Sequence, residues 1–362
     1  MKINPSKNWI QKGAQSMLIA GPCSAESEYQ ILTVAEELAR IGSVHLLRAG
    51  VWKPRTRPNS FEGLGEKALP WLVKAQQEFG IPAVIEVANE DHVKAALDAG
   101  INHLWIGART TVNPFSVQEI ADELKGTDVP VFVKNPLNPD LQLWIGALER
   151  LNAAGITKLV GVHRGFSTYQ DHVYRNSPNW EIPIELKVQF PDLEVLVDPS
   201  HIAGRRDILK DVAQKALDLG FDGLMIETHP DPDHAKSDPK QQIKLGDFET
   251  FINELETRKQ HFQDSVAINK LERLRNLIDE LDYNLLDNLK RRLDIVDQIG
   301  EYKAEHGVTV FQLERWRQII EDRLNYAQEN NIDSELIHAV WNEIHKASIR
   351  LQTDIVNRKL SS

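Results

Sequence analysis

Eight short apolar runs rich in β-branched residues punctuate the first 230 residues of this chain. They are Met17–Ile19, Val44–Leu47, Ala83–Val87, His103–Ile106, Val129–Val133, Lys158–Val162, Leu193–Val197 and Gly223–Ile226. Continuous apolar runs describe strands buried on both faces, as in a parallel sheet sheathed by helices. Amphipathic stretches lie between them: Tyr29–Ile41, Leu69–Phe79, Asp91–Ala99, Val117–Leu124, Leu141–Ala154 and Arg206–Leu219. Several stop at a glycine just before the next strand (Gly42, Gly80, Gly100, Gly155, Gly220), the usual C-terminal helix stop. Eight strand–helix alternations predict an α/β chain with a (β/α)8 TIM barrel, its last helix near Leu245–Glu256. A doubly wound open sheet is the alternative, but no glycine-rich dinucleotide fingerprint is present.

The pattern changes after about Arg258. From Ser265 to Leu360 there is no proline, and glycine occurs only at 300 and 307. Ile268, Leu271, Leu274, Ile278, Leu281, Leu285, Leu289, Leu293, Val296 and Ile299 advance by threes and fours, the spacing of one long helix. A break at His306–Thr309 precedes a second helix over about 312–328, and a third runs from about 334 to 356, with Asp333-Ser334 as the cap signal. A first helix of some 50 Å cannot be covered by two shorter partners from the same chain, so this all-α three-helix domain is expected to dimerise. The expected division is a barrel over 1–258, a linker over 259–267 and a helical domain over 268–362.

Composition narrows the function. A formal charge of −11 argues against a nucleic-acid partner, which needs a basic face. No apolar run approaches the ~18 residues of a membrane span. Met1–Pro5 lacks a signal-peptide core, and a single cysteine suits the cytoplasm. Cys23 is then either core filler or a ligand.

In such barrels the strands deliver their last residues to the active site. In chain order they would present Cys23, then Arg48 with Lys53, Arg55 and Thr56, then Glu86, Arg109, Lys134, Arg164, His201 and Glu227. Cations crowded at one mouth are costly unless an anion binds there. Arginine forks and a lysine point charge match phosphate or carboxylate oxygens, so small phosphorylated or carboxylated substrates fit. Cys23, His201 and Glu227, with one oxygen donor from Asp231, Asp233 or Asp238, would form a mixed sulfur, nitrogen and oxygen site. That donor set admits manganese, iron, cobalt or zinc, any of which can act as a Lewis acid.

Gly21-Pro22-Cys23-Ser24, Lys53-Pro54-Arg55-Thr56, Gly107-Ala108-Arg109, Lys134, His163-Arg164-Gly165, Asp198-Pro199-Ser200-His201 and Glu227-Thr228-His229-Pro230-Asp231-Pro232 follow one another on successive strands. In this order they resemble 3-deoxy-D-arabino-heptulosonate 7-phosphate synthase, more narrowly its short microbial subclass, over roughly residues 10–250. The resemblance implies condensation of phosphoenolpyruvate with erythrose 4-phosphate in the shikimate pathway. It implies Cys23, His201, Glu227 and Asp238 as ligands of a divalent metal, manganese first. Arg48, Arg109, Lys134 and Arg164 would clamp phosphoenolpyruvate. Lys53, Arg55 and Thr56 would hold erythrose 4-phosphate, with Glu86 near the attacking water. Pro239 follows Asp238 where family members often have glycine, and His163 stands where they often have an acid.

In the long helix, Arg292 and Lys303 lie eleven residues apart, about 20° round the axis, while Arg275 points about 100° away from Arg292. Ser348 and Gln352 form an i,i+4 pair. Cations beside an apolar stripe are ordinarily snorkelling side chains of a helix edge. The spacing nonetheless resembles the all-helical chorismate mutase family over 268–356, an intertwined dimer that converts chorismate to prephenate. Arg275, Arg292, Lys303, Arg315, Ser348 and Gln352 fall on that family's active-site positions. The resemblance implies that Arg275 serves the partner chain's site, that Arg275 and Arg292 bind the two carboxylates, and that Lys303 stabilises the ether oxygen. Trp316 and Gln312 replace the acidic or amide residues often found there. The expectation is a bifunctional cytoplasmic enzyme, homodimeric or larger, with feedback through the helical domain. Two rivals are a helical domain that only senses prephenate or chorismate, and a purely structural tail.

Overall fold

The computed structural model describes residues 3–6, 16–53, 61–168, 173–256 and 265–360; in the last stretch, side chains are described over 271–358. The chain divides into two compact units, 1–260 and 261–362. In the first, strands β1 (Met17–Gly21), β2 (Leu46–Ala49), β3 (Ala83–Val87), β4 (His103–Ile106), β5 (Val131–Lys134), β6 (Leu159–His163), β7 (Glu194–Val197) and β8 (Gly223–His229) pair in order, all parallel. β8 closes onto β1, with Met17 opposite Gly223 and Gly21 opposite Glu227. The barrel is therefore closed, as the alternation predicts. A short β9 (Ile243–Lys244) extends β8 beyond the closure.

Helices α1 (Glu28–Ile41), α2 (Leu69–Phe79), α3 (Glu90–Asp98), α4 (Ala108–Thr111), α5 (Pro114–Glu123), α6 (Leu141–Ala153), α7 (Glu181–Gln189), α8 (Pro199–Ala203), α9 (Leu209–Asp218) and α10 (Leu245–Asn253) connect or sheathe the strands. Side-chain oxygens cap several of them: Ser27 accepts from Gln30 N, Asn89 from His92 N and Asp140 from Leu143 N. α7 has no counterpart among the sequence expectations, since its apolar residues form no stripe.

Two apolar layers hold the barrel. Strand residues of one parity pack outward under the helices with Ile31, Leu72, Ile120, Leu148 and Phe248. Those of the other parity fill the lumen: Met17, Ile19, Leu46, Val84, Trp105, Phe132, Val160, Val162, Leu196 and Met225. Several strands run past their apolar runs into the polar residue that follows. Arg48 is in register with Val84, and Lys134 with Val162.

The second unit consists of α11 (Ser265–Glu305), α12 (Leu313–Glu329) and α13 (Ser334–Leu360). At 41 residues α11 spans about 60 Å. α13 packs against both α11 and α12. Gly300 permits the close α11–α13 approach, because a Cβ there would meet Ile355 Cδ1 at 2.8 Å and Gln352 Cα at 3.3 Å. The front half of α11 leaves Ile278, Leu281, Leu285 and Leu286 exposed within the single chain.

At the closure, a Cβ on Gly223 would stand 2.0 Å from the backbone oxygen of Met17. Gly223→Ala must therefore push β8 from β1, an overpacking cost of about 1–3 kcal/mol. Urea unfolding is expected to show a lowered midpoint with an unchanged slope, while Gly246→Ala, inside α10 with nothing within 4 Å, does not lower the midpoint and raises it slightly.

Candidate active site

Strand parity builds the barrel mouth. Side chains two apart on a strand share a face, so each lumen residue sets the direction of the residue two positions later. Leu46 leads to Arg48, Val84 to Glu86, Phe132 to Lys134, Val162 to Arg164, Leu196 to Asp198 and Met225 to Glu227. The same parity places Gly21 after Ile19 and Gly107 after Trp105. A Cβ on Gly21 would lie 2.2 Å from the Arg48 carbonyl, and one on Gly107 would lie 2.0 Å from Glu86 Oε1. Glycine at these two strand ends leaves room for the charged residues beside them.

Asp198 and Glu227 are the anionic centre of this mouth, and neither is exposed. Asp198 Oδ2 accepts from Lys134 Nζ at 2.8 Å and Arg48 Nη1 at 3.3 Å, and Oδ1 accepts from His201 N at 3.1 Å. Glu227 Oε1 accepts from Arg48 Nη2 at 2.9 Å, and Oε2 from Gln241 Nε2 at 2.7 Å. Beneath them the Trp105 ring faces Arg48 at 5.2 Å and Lys134 at 5.6 Å, a cation–π floor. Burial opposes the charge on Asp198, but His201, Lys134 and Arg48 hold its carboxyl well below the usual range. Burial opposes the Arg48 charge too, and Glu227 and Asp198 outweigh it. Lys134 moves the other way, since burial lowers its pKa more than Asp198 raises it. Burial brings Arg164 down to about 10, which leaves it cationic at neutral pH.

The proposed metal donors stand in two pairs. Cys23 Sγ lies 3.4 Å from Asp238 Oδ2, and His201 Nε2 lies 3.8 Å from Glu227 Oε1. The rival aspartates are engaged elsewhere, Asp231 with His234 and Asp233 with Arg206. Asp238 has φ 48, the left-handed region, and Arg175 Nη1 donates to its Oδ1 at 3.0 Å. Burial raises the Cys23 thiol to about 12, with Glu227 adding to the rise, while Lys53 Nζ approaches the sulfur at 3.4 Å. His201 is shifted toward the neutral form by burial, the form that can ligate. Among the described residues no three His, Cys, Asp or Glu side chains are already gathered as a metal cage.

Of the remaining barrel residues, Glu86 is half-buried and helps to hold the charges of Lys53 and Arg48. Arg109, on α4, is exposed yet close enough to lower the Arg164 pKa. Arg55 and Thr56 lie outside the described residues. Gln241, Arg175, Asn176 and Trp105 escaped the sequence reading as site residues, and Asp198, quoted there in its strand-end motif, carries no role in it. Parity with Leu196 was the signal available for Asp198; the others belong to a loop, or to the layer beneath the mouth.

Between its three helices the helical unit forms an open cavity of about 510 Å³. Arg292, Lys303, Arg315, Ser348 and Gln352 line it, as do Gln312 and Trp316. Arg292 Nη1 donates to Ser348 Oγ at 2.7 Å, and Lys303 Nζ donates to the Val310 carbonyl at 2.7 Å. Burial lowers the pKa of both cations. Trp316 stacks on His345 at 4.0 Å, so the aromatic that departs from the family pattern is part of the wall. Arg275 does not line the cavity; it pairs with Glu272 on its own helix at 2.6 Å. Arg323 lines it too and was missed, although it stands two helical turns from Arg315.

A closed parallel barrel with a buried cation–carboxylate mouth defines an anion-handling TIM-barrel enzyme, here joined to an all-helical unit with a cationic cavity. The model of the DAHP synthetase I family matches residues 1–264, so the chain belongs to that family, and the chorismate mutase type II model matches residues 274–353. A phospho-2-dehydro-3-deoxyheptonate aldolase of Thermotoga maritima is 34% identical over 239 residues, covering 66% of this chain and 68% of the relative. A 2-dehydro-3-deoxyphosphooctonate aldolase of Francisella tularensis is 27% identical, covering 68% of this chain and 94% of the relative. The crystal structure of the Thermotoga maritima DAHP synthase superposes with TM-score 0.61 at 30% identity, over 69% of this chain and 72% of that one. The chain thus carries a transferase domain and an isomerase domain.

Asp198→Asn keeps an oxygen to cap His201 N but removes the charge shared by Lys134 and Arg48. Stranding buried cations in this way costs about 3–5 kcal/mol. Adding Lys134→Met is expected to restore part of the loss in a urea-melt double-mutant cycle; additive losses would show that the two charges do not depend on each other.

Proposed function

We propose that the barrel condenses phosphoenolpyruvate with erythrose 4-phosphate, giving 3-deoxy-D-arabino-heptulosonate 7-phosphate and phosphate, and that the helical unit rearranges chorismate to prephenate. The observation that carries the first reading is the set of lumen-facing cations, Arg48, Lys134 and Arg164, at the mouth of a barrel of this family. Arg48, Lys134 and Arg164, with Arg109 at the rim, bind the phosphate and carboxylate of phosphoenolpyruvate. Lys53 stands between the two substrates, and Arg55 and Thr56 hold the erythrose 4-phosphate phosphate group. C3 of phosphoenolpyruvate adds to the aldehyde, water oriented by Glu86 adds at C2, and phosphate leaves. The fixed cations offset charge as it develops on the phosphate and carboxylate.

The donor chemistry fits a borderline divalent ion, manganese first and iron, cobalt or zinc as alternatives. Cys23, His201, Glu227 and Asp238 would hold it, and it would supply Lewis-acid polarisation of the aldehyde carbonyl. The close pairs Cys23–Asp238 and His201–Glu227 support this set.

In the helical cavity, Arg292 and the partner's Arg275 bind the two chorismate carboxylates, Arg315 adds a further cation to the lining, Ser348 orients Arg292, and Lys303 with Gln352 faces the ether oxygen as its C–O bond breaks. The exposed apolar front of α11, with Leu281 63% and Leu285 61% exposed, supports a homodimer in which Arg275 serves the partner's cavity. The proposed domains are 1–258 for the synthase and 268–362 for the mutase, with 259–267 between them. No helix among the described residues is long and apolar enough to cross a membrane, consistent with a cytoplasmic enzyme. A second reading, favoured by the Trp316–His345 stack, has this cavity sense chorismate or prephenate without turnover.

Chelation is expected to abolish phosphoenolpyruvate loss in the presence of erythrose 4-phosphate, and Mn2+ to restore it. Activity that survives full metal removal would count against the proposed ion. Prephenate formation from chorismate, reduced by about 10²-fold or more in Arg292→Ala, supports the mutase; saturable chorismate binding with no prephenate formed would select the sensing reading. Leu281→Lys with Leu285→Lys is expected to shift the sedimentation coefficient toward monomer.

A further inference from the structure

Residues 173–177 run between the end of β6 and helix α8, and they are stitched to both. Ser177 and Phe166 exchange backbone hydrogen bonds at 2.8 Å in each direction, while Arg175 N and Asn176 N donate to the carbonyls of Ala203 and Ile202. The pairing pins one side of the segment to Phe166, two residues past Arg164 in the stretch that follows β6, and the other to the helix that carries His201. Two glycines allow the fit: a Cβ on Gly165 would press on Asn176 Cβ at 2.9 Å, and one on Gly204 would meet Arg175 Cβ at 2.3 Å.

The two side chains held there reach three functional groups. Asn176, only 5% exposed, accepts from Arg164 Nη1 at 2.7 Å through Oδ1 and donates to the His201 carbonyl at 2.6 Å through Nδ2. Arg175 Nη1 donates to Asp238 Oδ1 at 3.0 Å and to Gln241 Oε1 at 2.5 Å. Gln241 in turn donates to Glu227 Oε2 at 2.7 Å. One dipeptide thus links a cation of the anion clamp to three of the four proposed metal donors, through contacts of 3.0 Å or less.

We propose that Arg175 and Asn176 are positioning residues that couple anion binding at Arg164 to metal binding at His201, Glu227 and Asp238. This rests on the metal and substrate assignment above. Both amide ends of Asn176 are committed, so a shift of Arg164 toward an anion moves the His201 backbone. The orientation of Asp238 is set through Arg175 on the same two-residue hinge. Outer partners that orient ligands are worth roughly 10- to 100-fold in metal affinity, and coupling between two sites is reciprocal. Metal should therefore tighten phosphoenolpyruvate by the same factor as phosphoenolpyruvate tightens metal.

The test is Mn2+ binding to the full chain by equilibrium dialysis and electron paramagnetic resonance, with and without phosphoenolpyruvate, and with no erythrose 4-phosphate present. In the wild type, phosphoenolpyruvate is expected to lower the Mn2+ dissociation constant by about fivefold or more. Asn176→Ala is expected to bring that ratio close to one while each ligand still binds alone. Arg175→Gln is expected to weaken Mn2+ binding roughly tenfold even without phosphoenolpyruvate, and Arg175→Lys to recover part of the loss. Circular dichroism and the urea midpoint establish that each variant is folded, and Asn176→Ser serves if Asn176→Ala is not. A coupling ratio unchanged in folded Asn176 variants overturns the proposal while leaving the site assignment intact. A wild-type chain that binds neither Mn2+ nor phosphoenolpyruvate overturns the assignment, and the coupling with it.

Discussion

Everything at the barrel mouth is arranged about the Asp198 carboxylate. It is wholly buried, and a buried carboxylate without partners would take up a proton rather than stay charged. His201, Lys134 and Arg48 prevent that, the His201 ring standing 2.8 Å from Oδ2, and the N-terminus of α8 adds the His201 amide. The anion in turn permits two cations to sit beside each other over Trp105, where their mutual repulsion would otherwise expel one of them. Glu227 repeats the arrangement one strand further on, sharing Arg48. Buried cations of this kind need interior anions to keep them folded inward.

The same need is met differently in the helical unit. Its cations stand on the walls of an open cavity rather than inside a barrel; Arg323 pairs with the Asp322 carboxylate, but Arg292 and Lys303 are received by neutral oxygens. Arg292 uses Ser348 and Lys303 uses the Val310 carbonyl. Neutral partners leave the charges of Arg292 and Lys303 uncancelled, so both can still attract an anion. Gly300 matters here because it brings α13 close enough to α11 for Ser348 and Arg292 to meet across the packed helices.

The barrel was legible because its signal is periodic and long. Eight apolar runs with glycine-stopped helices between them leave little choice of topology, and the structure closes β8 onto β1 accordingly. The strand ends were less legible, since apolar-run reading stops one residue short of Arg48 and Lys134, which remain in the ladder. α7 was missed because packing, not pattern, makes it a helix. The charged residues of the mouth could be named from order along the chain, whereas the residues that orient them could not. Asn176 and Arg175 stand on no strand and follow no period; only the fold brings them against Arg164, His201 and Asp238. Arg275 shows the converse limit, since it stands on α11 as expected but, among the described residues of a single chain, its ion pair is with Glu272 on its own helix.

Strand parity also settles what the departure at His163 means. Val160 and Val162 fill the lumen, so Arg164 faces the mouth and His163, between them in register, faces the opposite way. There it packs between Phe166 at 5.7 Å and Trp180 at 5.3 Å, fully buried, and burial pushes its pKa down to about 3. At neutral pH it is an uncharged ring in an aromatic layer under α7. An acidic side chain at this position would also point into the outer layer, away from the mouth that Arg164 faces. The substitution therefore changes how the strand is packed from behind and leaves the direction of Arg164 set by Asn135 and Asn176, which hold its backbone and its guanidinium. In a barrel, whether a change of charge touches the chemistry depends on which side of the strand carries it.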